Sequence, residues 1–116
     1  MATPHEPGDP SIQVHRGDVS AACAAVGIVP GDVVMFHSSL SSMGSVVGGP
    51  NTVIDGFLDA VGPTGTVCVP TLWWHHTDPP MRIDDWDVDT SPSYPGLITE
   101  IFRQRPDSVR SNHPTH

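Results

Sequence analysis

Val33-Val34-Met35-Phe36-His37-Ser38-Ser39-Leu40-Ser41-Ser42, running into a glycine-rich stretch that ends at Gly49, sets the architecture of this chain. Four consecutive apolar residues mark a strand covered on both faces, as in a parallel sheet. The turn Val29-Pro30-Gly31-Asp32 leads into it. Pro50 suits a first helical position, and Thr52 to Val61 continue as an amphipathic helix with Val53, Ile54, Phe57, Leu58 and Val61 inward. Gly62-Pro63-Thr64-Gly65 stops that helix, and Thr66-Val67-Cys68-Val69 is a second short apolar strand ending at Pro70-Thr71. Strand, polar loop, helix and strand in this order predict a right-handed βαβ crossover and an α/β fold.

On the N-terminal side, residues 17–27 suit a short helix. Asp18 is placed to cap it, Val19, Ala22, Cys23 and Val26 share one face, and Gly27 fits the stop. Residues 1–15 are rich in Pro, Gly, His and Asp without periodicity, which predicts a flexible arm ahead of a unit spanning 16–116. On the C-terminal side, Gly96 to Gln104 read as another helix, ended by Pro106. Between them, 72–95 is a long loop carrying Trp73, Trp74 and Trp86, the pair His75-His76 and the acidic run Asp84-Asp85-Trp86-Asp87-Val88-Asp89. A loop of this length inside a compact domain is usually functional or disordered, and its tryptophans argue for order.

Composition narrows the function. The 116 residues include 13 acidic and 5 basic side chains, a net charge of −8, and every basic residue is Arg (16, 82, 103, 105, 110). Nucleic-acid affinity rests on Lys and Arg neutralising phosphates, so no nucleic-acid partner is expected. Without lysine there is no P-loop. No apolar run approaches the ~18–20 residues of a membrane span, and Met1 to Pro7 show no secretory signal, so no membrane association and a cytoplasmic location are expected. Cys23 and Cys68 form no framework and are expected as free thiols. The acidity either keeps the chain in solution or attracts polycations.

Two regions carry candidate chemistry. The loop 37–42 follows a strand, where open α/β sheets place ligands, and its hydroxyls and backbone N–H groups suit anionic oxygens. The alternative is an ordinary strand-to-helix connection. Gly44, Gly48 and Gly49 do not spell a dinucleotide fingerprint, and no Ser sits in G-x-S-x-G. In the acidic run, Asp85-x-Asp87-x-Asp89 fails as a calcium loop, because Thr90 and Gly96 stand where Gly and Glu are needed. His75, His76 and Asp78 lack a third ligand at proper spacing, so no metal is expected. The run instead suits an amine-rich ligand held between tryptophan walls, or else is a solvated loop whose tryptophans pack inward. His37 and His113 are either hydrogen-bonded structural residues or bases.

Gly31 to Gly44 with Val47-Gly48-Gly49 resembles the opening motif of the aminoglycoside 3-N-acetyltransferase family. The likeness continues in order through Thr52-Val53-Ile54-Asp55, through Gly62 to Thr71, through Thr90-Ser91-Pro92-Ser93 with Gly96 and Glu100-Ile101-Phe102-Arg103, to Arg110-Ser111-Asn112-His113-Pro114. It implies the N-terminal half of a three-layer sheet-and-helix fold. It further implies acetyl transfer from acetyl-CoA to the 3-amino group of a 2-deoxystreptamine antibiotic. On that resemblance His37, Ser38, Ser39, Leu40, Ser41, Ser42, Pro70, Thr71, Arg110 and Ser111 are expected to contact the coenzyme. Trp73, Trp74, Asp78, Asp84, Asp85, Trp86 and Asp87 are expected to border the site of a polycationic aminoglycoside. Family members are more than twice this length and carry their general base beyond this stretch, which leaves His37 and His113 as the only candidates here. A chain of this extent is expected to expose the edges of 33–36 and 66–69. Two other outcomes stay open: an acetyltransferase for another amine, and a non-catalytic remnant that binds CoA or an aminosugar.

Overall fold

The computed structural model describes residues 6–73 and 82–113. Among the described residues four short strands and three helices follow in the order β1 (Gln13–Val14), α1 (Arg16–Ala25), β2 (Val33–Met35), β3 (Ser45–Val46), α2 (Pro50–Val61), β4 (Thr66–Cys68) and α3 (Leu97–Gln104). Short 3₁₀ turns cover Leu40–Met43 and Ile83–Asp85. Strands β2 and β4 pair in parallel, Val33 opposite Thr66 and Met35 opposite Cys68, with α2 between them in sequence. This is the α/β unit expected from the order of elements. A second parallel pair joins β1 to β3.

The described part of the expected arm is tied down. Gly8 N–H donates to the Ser41 carbonyl at 2.8 Å, Ser42 Oγ to the Glu6 carbonyl at 3.2 Å, and Ser45 N–H to the Ile12 carbonyl at 2.9 Å. Residues 6–14 thus brace the serine loop. Helix α1 begins at Arg16 behind His15, one turn earlier than a cap at Asp18 would give. Asp18 lies inside the first turn and its carboxylate accepts the His15 N–H at 2.8 Å, so it caps from the third position rather than the first.

Helix α2 is the centre of the core. Val53, Ile54 and Val61 are fully buried and meet Phe36, Val67 and Ile98, with Val34, Leu58 and Phe102 packed around them. Phe36 and Phe57 stack in parallel, centroids 4.0 Å apart. Gly56 lets α1 close on α2, since a Cβ there would sit 2.5 Å from the Val19 Cβ. Ion pairs fasten the same helix: Arg16 reaches Asp59 through two contacts at 2.5 and 2.6 Å, and Arg105 reaches Asp55 at 2.8 Å.

The sheet departs from expectation on one point. Val33 and Met35 are 75% and 56% exposed, so β2 is covered on one face instead of both. Its alternate residues Val34 and Phe36 point into the core, and Val33 and Met35 lie on the opposite face. Among the described residues no helix is long and apolar enough to cross a membrane.

Candidate functional site

The serine loop leaves β2 at an exposed His37 and folds back on itself as a 3₁₀ turn. Its hydroxyls bond to one another, Ser39 Oγ lying 3.3 Å from Ser41 Oγ and 2.9 Å from Ser42 Oγ. The loop forms one wall of a cavity of about 560 Å³ through Ser38, Ser39, Leu40 and Ser41. Gly44, Val46 and Gly49 extend that wall, and Pro95, Gly96, Leu97 and Ile98 form the opposite one. Two helix N-termini therefore open on this space, α2 behind Gly49 and α3 behind Gly96, neither capped by a side chain. Both glycines hold positive φ (69° and 147°), and a side chain at either position would meet nothing within 4 Å. Uncapped first-turn amides, helix dipoles and hydroxyls together favour an anionic or strongly polar guest. His37 and Ser42 do not line the cavity.

Sequence reasoning did not assign Pro95, Gly96 and Leu97 to this wall. The available signal was a Pro-Gly pair immediately before an apolar helix, which marks a helix start without saying what it faces.

Thr71, Arg110 and Ser111 lie elsewhere, around a second cavity of about 210 Å³ shared with Cys68, Phe102 and Arg103. Pro70 is buried next to it. Of the residues expected at the coenzyme, Ser38, Ser39, Leu40 and Ser41 line the first cavity, Thr71, Arg110 and Ser111 the second, and His37, Ser42 and Pro70 neither. Arg110 is turned inward. Its Nε donates to Thr71 Oγ1 at 3.2 Å and one terminal nitrogen to the Thr71 carbonyl at 2.9 Å. The other terminal nitrogen reaches the carbonyls of Val88, at 3.4 Å, and Ser91. The guanidinium also lies over the Trp86 ring, 4.4 Å from its centroid. Burial lowers its pKa from the usual arginine value and repulsion by Arg103 adds to that, while Glu100 acts in the opposite sense.

Of the aromatic and acidic residues expected at an amine ligand, Trp73 is buried and packs on Trp86, centroids 5.6 Å apart. Trp86 Nε1 donates to Asn112 Oδ1 at 3.4 Å. Asp87 acts on its own backbone, its carboxylate accepting the N–H groups of Asp89 and Thr90 at 2.9 Å each, which holds its pKa below the ordinary carboxylate value. Asp84 and Asp85 are exposed, Asp84 beside Arg82 at 3.2 Å. Trp74 and Asp78, with the His75-His76 pair, lie outside the described residues.

The stretch from Thr90 to Arg103 is held by one hydrogen-bond network. Ser93 N–H donates to Glu100 Oε2 at 2.6 Å, Ser93 Oγ to Thr99 Oγ1 at 2.7 Å, and Thr99 Oγ1 to the Gly96 carbonyl at 2.9 Å. Arg103 grips both oxygens of Glu100 at 2.7 and 2.5 Å and reaches the Asp89 carbonyl at 3.2 Å. This arrangement fixes the turn that brings Gly96 to the first cavity. His37 and His113 are both exposed and line neither cavity, and His113 N–H donates to Ser111 Oγ at 3.2 Å. Among the described residues no group of three His, Cys, Asp or Glu side chains is placed to hold a metal ion.

Comparison with known proteins fits this arrangement to a family. The sequence pattern of aminoglycoside 3-N-acetyltransferases matches residues 35–116. Aminoglycoside N(3)-acetyltransferase VII of Streptomyces paromomycinus is 36% identical over 118 aligned residues, covering 87% of this chain and 40% of the relative. Aminoglycoside N(3)-acetyltransferase III of a Salmonella species is also 36% identical, covering 83% of this chain and 38% of its own length. The crystal structure of the aminoglycoside acetyltransferase AAC(3)-Xa superposes with a TM-score of 0.78 at 41% identity, over 91% of this chain and 42% of the other. The binary complex of AAC-IIIb with CoASH superposes equally well, at 0.78 and 27% identity, over 90% and 44%. AAC-VIa bound to sisomicin gives 0.75 at 32% identity, over 90% and 44%. The chain spans about two-fifths of the length of the curated relatives it matches. From residue 35 onward it carries the sequence, and over nine-tenths of its length the fold, of these acyltransferases, and it belongs to the aminoglycoside 3-N-acetyltransferase family.

Proposed function

We propose that this chain supplies the coenzyme-binding part of an enzyme that transfers acetyl from acetyl-CoA to the 3-amino group of a 2-deoxystreptamine aminoglycoside. The observation that carries the proposal is the cavity between the serine loop and the start of α3. Its donors suit the polar and anionic portions of CoA without a lysine: hydroxyls at Ser38, Ser39 and Ser41, and first-turn amides behind Gly96 and Gly49. A relative of the same fold forms a binary complex with CoASH.

The acceptor side falls to the acidic loop. Exposed carboxylates at Asp84 and Asp85 raise the local concentration of a polyamine by long-range attraction, and the net charge of −8 acts in the same direction. Trp73 and Trp86 support this loop from inside, because their rings pack on each other. Trp74 and Asp78 stay in the proposal as further contacts to the aminosugar. Acyl transfer needs an unprotonated amine, hence a base, and donors for the developing oxyanion. Neither His37 nor His113 is assigned as that base, since both lie outside the two cavities. The role of the serine loop and the acidic loop is binding and orientation. The proposed location is the cytoplasm, with acetyl-CoA as co-substrate and no metal.

Calorimetric titration of CoA into the wild-type chain and into a Ser39→Ala, Ser41→Ala double variant tests the proposal. Saturable binding that weakens about tenfold in the variant is expected from the loss of hydroxyl donors. Equal affinities would show that CoA binds elsewhere, and no binding by either protein would remove the coenzyme from the chain's function.

A further inference from the structure

Arg110 stands within the Arg110 to Pro114 stretch of a family that handles a phosphorylated coenzyme, so a phosphate contact is its obvious role. The geometry points to another. Its fork closes on the protein's own backbone: two hydrogen bonds to Thr71 and two to the carbonyls of Val88 and Ser91. A guanidinium has five N–H donors, and these contacts engage four of them. The flat face of the group is occupied as well, by Trp86 at 4.4 Å. What it joins are three segments distant in sequence: the exit of β4 at Thr71, the turn 86–91, and the chain at 110. The same turn is gripped from its other end by Arg103 through the Asp89 carbonyl. Within the turn, Asp87 accepts two backbone N–H groups and Ser91 N–H donates to the Asp87 carbonyl at 2.9 Å, so the turn is closed by its own hydrogen bonds.

We infer that Arg110 is a positioning residue, a latch that fixes the acidic tryptophan loop to the end of β4 and sets the aminoglycoside side of the site without touching CoA. This rests on the proposed function for its consequence in binding, but the latch itself concerns the ligand-free chain.

Lysine separates the two roles. It is a competent partner for a phosphate, yet it has neither the planar fork nor the stacking face that the latch uses. Three proteins, R110K, R110A and Thr71→Val, are compared with wild type by near-ultraviolet circular dichroism without ligand, and then by calorimetry with CoA and with sisomicin. The latch predicts that R110K loses the dichroic signal of the Trp73–Trp86 pair as fully as R110A does, and that T71V loses part of it. Sisomicin affinity falls about tenfold in R110K, while CoA affinity changes less than about twofold. A phosphate contact predicts the reverse: CoA affinity drops in R110A, recovers in R110K, and the dichroism is unchanged in both. That result overturns the latch. If R110A does not fold, R110K and T71V decide alone. If the wild-type chain binds neither CoA nor sisomicin, the proposed function fails, and the ligand-free dichroism still decides the latch: an R110K spectrum equal to wild type refutes it.

Discussion

The carboxylate of Glu100 accepts the backbone N–H of Ser93 at 2.6 Å, closing the turn that delivers Gly96 to the wall of the serine-loop cavity. Arg103, one turn along α3, holds the same carboxylate at 2.5 and 2.7 Å and keeps its pKa below the ordinary glutamate value. One acid thereby orients both the loop and the helix start.

The first prediction is a pH dependence. The folded-state pKa of Glu100 is depressed, so its contribution to stability is fully present above the unfolded carboxylate value of about 4.3 and is lost as pH falls through the lower folded value. Chemical denaturation at pH 7 is expected to show Glu100→Gln less stable by about 1–3 kcal/mol, because a partly buried charged acceptor is removed from several donors. Between neutral pH and strongly acid conditions the difference between the two proteins shrinks. A constant difference down to the acid limit would mean that the charge of Glu100 contributes nothing.

The second concerns the contact of α1 with α2. Gly56→Ala places a methyl 2.5 Å from the Val19 Cβ and 2.6 Å from its Cγ1. Overpacking of this kind costs about 1–3 kcal/mol, seen as a lower midpoint in urea. Pairing it with Val19→Ala is expected to leave most of that loss in place, since alanine removes the Cγ1 contact but keeps the Cβ. Equal stability of Gly56→Ala and wild type would contradict the packing described for these helices.

The third concerns the bare face of the sheet. Val33 and Met35 are solvent-exposed on β2, where an apolar parallel strand is normally covered. Lys at both positions is expected to change stability by no more than about 0.5 kcal/mol, as for other exposed sites, while reducing self-association in sedimentation velocity. A double variant that unfolds instead would show that this face is buried in solution.

The chain's α/β unit was legible because its signals are local and strong. Val33 to Phe36, Pro50 at a helix start and the Gly62 to Gly65 stop each have one good structural interpretation, and β2, α2 and β4 follow them closely. The one-sided cover of β2 was not, because an apolar run reports what a strand can bury and not whether a neighbour is present. Asp18 reads as the cap but sits in the first turn behind His15, since an acid serves equally at the cap or at the third position. Residues that read as candidate ligands often turned out to be held by the protein itself: Arg110 by three carbonyls and a hydroxyl, Asp87 by two amides, Trp73 by burial. Sequence identifies the functional group but not which partner reaches it first. The opposite wall of the cavity, Pro95 to Ile98, lies more than fifty residues from the serine loop, and only the packing of α3 on α2 brings the two together.

The most direct test of the account follows backbone amide chemical shifts of the isotopically labelled chain during titration with CoA. Binding in the cavity between the serine loop and α3 predicts saturable shifts at Ser38, Ser39 and Ser41 together with Gly96, Leu97 and Ile98, and none at Asp84 and Asp85. Higher ionic strength is expected to strengthen them, because it screens the repulsion between an anionic guest and a chain of net charge −8 with no cationic side chain lining the cavity. Shifts confined to Thr71, Arg110 and Ser111, or no shifts at saturating CoA, would contradict the central claim.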